Sequence, residues 1–136
     1  MSKRQIRTAF ESRLNAWANS QSTAIPIAWE NIGFTPSKPY LRAFLVPAST
    51  DSIDLEGKHR MYTGIFQVNI VGEPGNGPPQ VEKIAEDLDK EFPLNMRMAV
   101  TDGVVLVYSP MNQGPAMQEA DSYTLPVWWR YRMDTI

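Results

Sequence analysis

A chain of 136 residues, 43% hydrophobic and 21% charged, has the composition of one soluble globular domain, and no segment reaches the roughly 20 apolar residues that a membrane helix needs. The formal net charge of −2 gives no broad electrostatic pull on nucleic acid, and the absence of cysteine removes disulfides, thiolate nucleophiles and cysteine-based metal sites together. The opening MSKRQIRTAF carries positive charge without an apolar core or a small-residue cleavage site, so it does not read as a secretory signal, and synthesis and residence in the cytoplasm are expected.

The first expected element is a helix from Ser2, which is placed to cap it, to about Asn19. Ile6, Phe10, Leu14 and Trp17 recur at helical spacing on its inner face, while Lys3, Arg4, Arg7 and Arg13 fall largely elsewhere and read as a solvated face. Ile25 to Asn31 reads as a short strand that Pro26 confines to a sheet edge or a strand start, with Trp29 in the core. After the loop at Thr35–Pro39, Tyr40 to Val46 is a strand closed by Pro47, which cannot donate to a continuing ladder. Pro47 to Gly57 is polar and acidic with isolated Ile53 and Leu55, a composition suited to a long hairpin arm.

Residues Arg60 to Pro93 read as a strand, a stiff turn and a helix. Phe66, Val68 and Ile70 alternate with Gln67 and Asn69 as in a half-buried strand. Beyond the turn, Val81, Ile84, Ala85, Leu88 and Phe92 form one helical face, with Glu82, Glu86, Asp87, Asp89 and Glu91 among Lys83 and Lys90 on the solvated side. Leu94 to Val100 and Val104 to Tyr108 flank Asp102-Gly103, a strong hairpin signal. Ser109 to Asp121, with Pro110 and Pro115, reads as a second exposed loop, and Ser122 to Met133 as a strand with one apolar face. The eleven prolines fit this strand-rich reading. The expected class is α+β in the order α-β-β-β-α-β-β-β, one domain over residues 1–136, with a mostly antiparallel or mixed twisted sheet packed against an N-terminal and a central helix.

Catalytic chemistry finds little support. The turn Gly72-Glu-Pro-Gly-Asn-Gly-Pro-Pro superficially suggests a phosphate loop, but Gly77 is followed by Pro78 and Pro79, which carry no N–H donor, and Glu73 would repel phosphate. The glycine order also fails the dinucleotide pattern. His59, the one histidine, has no second histidine or cysteine with which to anchor zinc and reads as an exposed residue. No pair among the carboxylates is singled out for acid–base or metal work. The most suggestive local chemistry is Trp128 with Arg130 and Arg132, which alternation places together on the face opposite Trp129 and Tyr131. A covering helix, a protein interface and a single-stranded nucleic acid all remain open as occupants of that face.

The pattern Tyr62-x-Gly64-Ile65-x-Gln67-Val68-x-Ile70-Val71, then Pro74-x-x-Gly77 and a helix ending Phe92-Pro93, resembles the tail-terminator-like (minor tail protein U-like) proteins of tailed bacteriophages. The first helix, Tyr40-Leu41-Arg42 leading to Pro47, and a small C-terminal hairpin extend the resemblance over most of the chain. It implies a structural, non-enzymatic α+β subunit without a cofactor, which forms a ring, six-fold in known relatives. That ring would cap the head-proximal end of the tail tube, end tube polymerisation and contribute to head–tail joining. The implied partners are further copies of the chain, the tail-tube protein and the head–tail connector proteins, with DNA only as cargo and no membrane; the implied locations are the host cytoplasm during assembly and then the virion tail. No catalytic residue carries over. Candidate subunit or partner contacts are Asp51, Ile53 and Leu55 on the first arm, Met111 and Met117 on the second, and Trp128, Arg130 and Arg132 on the last strand. The alternative is a small nucleic-acid-binding module that uses this aromatic and arginine face.

Overall fold

Alternation of apolar and polar side chains over Arg60–Gly72 and again over Tyr123–Thr135 builds the two longest strands, which lie side by side. The computed structural model describes residues 2–21, 24–30, 39–52, 59–73, 77–119 and 122–135. Its elements are α1 (Ser2–Ser20), β1 (Ile27–Ala28), β2 (Tyr40–Asp51), β3 (Arg60–Gly72), α2 (Gly77–Glu91), β4 (Arg97–Val100), β5 (Gly103–Val107), β6 (Asn112–Gln113), β7 (Met117–Gln118) and β8 (Tyr123–Thr135). The sheet runs β1-β2-β3-β8-β5-β4, antiparallel except for the β1–β2 pair, and β6 and β7 also join β8. The expected α+β class and element order are present, with β6 and β7 added.

Those two short strands correct the expectation of an exposed loop at Ser109–Asp121, whose residues 120 and 121 lie outside the described residues. Val107 faces Tyr131, Gln113 faces Val127 and Met117 faces Thr124, so the chain from β5 to β7 follows β8 as one interrupted antiparallel partner. Pro110 and Pro115 fall in the two interruptions, where a missing N–H breaks no ladder. Pro126 lies within the interior strand β8 for the same reason. Its carbonyl accepts the Gly114 N–H at 2.9 Å, so its backbone faces the gap between β6 and β7.

Three boundaries also differ from expectation. Pro47 does not close β2: the strand continues to Asp51 through an irregularity between Pro47 and Ser49. The β4–β5 hairpin forms, but its loop is Thr101-Asp102, because Gly103 already pairs with Val100. The segment expected as a strand from Leu94 becomes regular only at Arg97, since Asn95 takes a left-handed conformation (φ 71°) and its N–H reaches the Val107 carbonyl.

Both helices cover the same face of the sheet. Ile6, Phe10, Leu14 and Trp17 of α1 and Val81, Ile84, Ala85, Leu88 and Phe92 on and just after α2 are buried, as their spacing predicts. They meet Leu41, Ala43 and Leu45, Phe66, Val68 and Ile70, Val105 and Val107, and the β8 row from Leu125 to Met133 in one core. At its centre Phe10 stacks on Phe66 with ring centroids 4.6 Å apart, and Phe92 lies 4.9 Å from Trp129. Polar ties lock the helices in place. Arg13 donates to the Glu91 carbonyl at 2.9 Å and its guanidinium lies 5.9 Å from the centre of the Phe92 ring, while the Gln5 amide exchanges two hydrogen bonds with Asp102 of the hairpin. Arg7 pairs with Glu11 and Glu30. Arg7 and Arg13 are therefore docking residues rather than parts of a freely solvated face.

The outer edge of β2 is blocked by side chains from Leu45 to Pro47. β1 covers only Leu41 and Arg42, and the next outward N–H, that of Leu45, donates to the Glu30 carboxylate at 3.0 Å. Two residues on, the same direction belongs to Pro47, which has no N–H to expose. Glu30 also accepts from Arg7 at 3.1 Å. Partial burial pulls the Glu30 carboxyl upward, but the Leu45 N–H and the Arg7 guanidinium outweigh it and hold the group below the usual glutamate range.

Two predictions follow from this framework. Gly64 pairs with Pro47 on one side and Tyr131 on the other, and an added Cβ would lie 2.5 Å from both the Val46 carbonyl oxygen and the Tyr131 hydroxyl. Gly64→Ala should therefore destabilise by about 1–3 kcal/mol, opposite in sign to a glycine replacement in open space, read as a lower denaturant midpoint at unchanged slope. For Glu30, a carboxyl pKa lower in the folded than in the unfolded state contributes stability that is present above the unfolded value and lost as pH falls through the folded one. Glu30→Gln should be less stable than wild type at pH 7, and the gap should narrow as pH drops below the ordinary glutamate range; a gap constant from pH 7 to pH 3 would exclude this role.

Candidate functional site

Since α1 and α2 share one face, the other face of the sheet has no covering element among the described residues. The register brings its side chains into rows. Phe44, Gln67 and Trp128 form one, Val46, Ile65 and Arg130 the next, and Ser49, Thr63, Arg132, Leu106 and Arg97 a third. Val46 is 46% exposed and Val104, nearby on the same face, 39%. Phe44, Ile65, Leu106 and Trp128 are half-buried, Arg130 and Arg97 are exposed, and Arg42 lies against the Tyr40 ring at 5.7 Å. The result is an apolar centre with arginines around it, the pairing of residue types favoured in protein interfaces.

At one end of this face lies a small ionic group. Arg132 Nε donates to Asp134 at 2.9 Å, and His59 Nε2 is 3.0 Å from the same carboxylate. The Arg132 guanidinium, against an opposing effect of burial and with help from His59, holds Asp134 below the usual aspartate range. His59, expected to be exposed, is half-buried because β8 extends past Met133 and brings Asp134 beside it.

The predicted contact residues divide into groups. Trp128, Arg130 and Arg132 lie together on the open face, as alternation indicated. Trp128 is partly covered, since a Cβ on Gly114 would come within 3.2 Å of its ring. Met117 is exposed on β7 at the far end of β8, and Asp51 is exposed at the end of β2. Met111 is half-buried and packs against the core. Ile53 and Leu55 lie outside the described residues. Sequence reasoning missed Phe44, Val46, Ile65 and Leu106. The available signal was apolar residues at solvent-parity positions of strands, read together with the pairing register.

Little here suits catalysis. Among the described residues no group of three His, Cys, Asp or Glu side chains could hold a metal ion, and no helix is long and apolar enough to cross a membrane. A groove of about 530 Å³ between α1 and β4 is lined by Arg4, Gln5, Thr8, Ser12, Ala99 and Thr101, among others, without a carboxylate or histidine to activate a nucleophile.

The chain matches the family model described as Phage tail terminator protein over residues 5–131. It belongs to the phage tail terminator family. This is a structural family of the virion tail, and the match runs from α1 into β8, so it includes both the helix layer and most of the open face. One solved structure is similar to this chain with 41% sequence identity and a TM-score of 0.83, covering 98% of this chain and 96% of its own. No curated protein matches the chain. For a tail terminator, a face lined with aromatic and arginine side chains is more readily understood as a contact surface than as a reaction site.

The open face separates surface from scaffold. Arg130→Ala should change folding stability by less than about 0.5 kcal/mol, because the side chain is exposed. Trp128→Ala should cost about 1–2 kcal/mol, well below the loss for a fully buried tryptophan. Paired urea titrations of the two variants check the contrast.

Proposed function

We propose that this tail terminator family member assembles as a closed ring of identical copies, six-fold as the resemblance implies, at the head-proximal end of the tail tube. There it ends tube polymerisation and meets the head–tail connector, with DNA passing through the ring as cargo. Assembly takes place in the host cytoplasm, and the finished ring resides in the virion tail. The observation that carries this reading is the family match across nearly the whole chain. The uncovered face supports it, since a ring subunit needs surface left unpaired within its own chain. No reaction is assigned to the protein.

The nucleic-acid alternative has less support. Arg132 is held by Asp134, and Trp128 is partly covered by the backbone at Gly114, so neither is free to clamp a base in the way stacking platforms require.

Two measurements test the reading. Light scattering coupled to size exclusion, across concentrations and with tail-tube protein added, should reveal a closed oligomer alone or on the tube. Tube protein polymerised in the presence of this chain should give tubes of bounded length, and longer ones without it. A chain that stays monomeric and leaves tube length unchanged would reject the proposal.

A further inference from the structure

The solvent side of α2 differs in character from the open sheet face. Between Gly77 and Glu91 there are five acidic residues against two lysines, a net charge of −3. Asp87 is engaged by Lys83 at 2.8 Å and Glu91 by Arg13 at 3.4 Å. Glu82, Glu86 and Asp89 remain exposed, and their spacing of four and three residues aligns them as one stripe along the helix. Because α2 buries Val81, Ile84, Ala85 and Leu88 against the inner face of the sheet, helical spacing sets this stripe along one exposed flank of α2, with Lys83 and Lys90 opposite the buried row. The open face on the other side carries Arg42, Arg97, Arg130 and Arg132, and its only acids among the described residues, Asp51 and Asp134, sit at one end. The open sheet face is thus basic around an apolar centre, and the α2 stripe is acidic, whereas α1 beside it carries Lys3, Arg4, Arg7 and Arg13 against Glu11.

We propose that the open sheet face of one copy receives the acidic α2 stripe of the next copy, head to tail. Each subunit then uses two different surfaces, and a heterologous contact of this kind generates a ring when its rotation closes. The charges fix which surfaces meet and discourage sheet-to-sheet or helix-to-helix pairing, where like charges would oppose one another. Phe44, Val46, Ile65 and Trp128 supply the apolar centre that is removed from water, and the arginines form its rim. The inference rests on the ring reading above and adds the pair of surfaces that make it.

The test is a two-sided charge reversal in the full chain. A sheet-face variant, Arg97→Glu with Arg130→Glu, makes the sheet face acidic like the α2 stripe; a helix-face variant, Glu82→Lys with Glu86→Lys, makes the stripe basic like the sheet face. All four positions are exposed, and circular dichroism checks that each variant folds. Each variant alone should need about tenfold or more higher concentration than wild type to assemble, because like charges now meet. An equimolar mixture should assemble again as an alternating oligomer, and one chain carrying all four substitutions should assemble by itself.

The possible failures are distinguishable. If wild type forms a ring and both variants assemble equally well, the surface assignment is wrong while the ring reading stands. Failure of the mixture to recover, with both variants folded, likewise overturns the pairing. If the variants ring normally but lose the tail-tube protein, the face belongs to the tube contact and the inference is rejected. A wild type that never assembles, with or without tube protein, removes the ring reading itself and this inference with it.

Discussion

The aromatic cluster of Phe10, Phe66, Phe92, Trp129 and Tyr131 is the constraint on which the arrangement depends. Its members come from α1, β3, the residue just after α2 and β8, and neighbouring rings are 4.6 to 6.3 Å apart. Joining both helices to one patch of sheet places the large apolar side chains of the helices on one side. Nothing then remains within the described chain to cover the reverse side. The cluster also has a polar cost. The Trp129 Nε1 and Tyr131 hydroxyl are buried without a hydrogen-bond partner among the described residues, and burial pushes the Tyr131 phenol upward. Each such group typically costs about 1–3 kcal/mol, so the packing of these rings must outweigh it.

Much of this core was legible in the sequence. The helix faces followed from 3.6-residue spacing, and the β3 and β8 faces from alternation, because burying one side of an element requires those periods whatever its neighbours are. The class and element order followed from the same patterns. Strand partnership was less legible. β6 and β7 have two residues each, and the prolines that shape the breaks between them are also what a loop contains. Only the length of β8, which needs a partner along its second edge, distinguishes the two cases. Pro47 misled in a related way: it lacks a donor, but on an outward-facing position of β2 none is needed.

The open face of the sheet was legible in part for a different reason. Trp128, Arg130 and Arg132 share one strand, so alternation alone groups them. Phe44, Val46, Ile65 and Leu106 join them through the registers between β2, β3, β8 and β5, and a register is a long-range property that local patterns do not encode. Arg7 and Arg13 show the same limit for charged residues. Each resembled a solvated side chain until its distant partner was known.

The blocked stretch of the β2 edge acquires a wider meaning when set against what an unblocked edge does. A bare row of N–H and C=O groups is a template on which strands add without end, and such growth has no natural stopping point. With Glu30 occupying the Leu45 donor and Pro47 offering none, the middle of this margin has no free donor for an added strand. The broad faces of the sheet and helix layers are left as the larger surfaces on which another chain could dock.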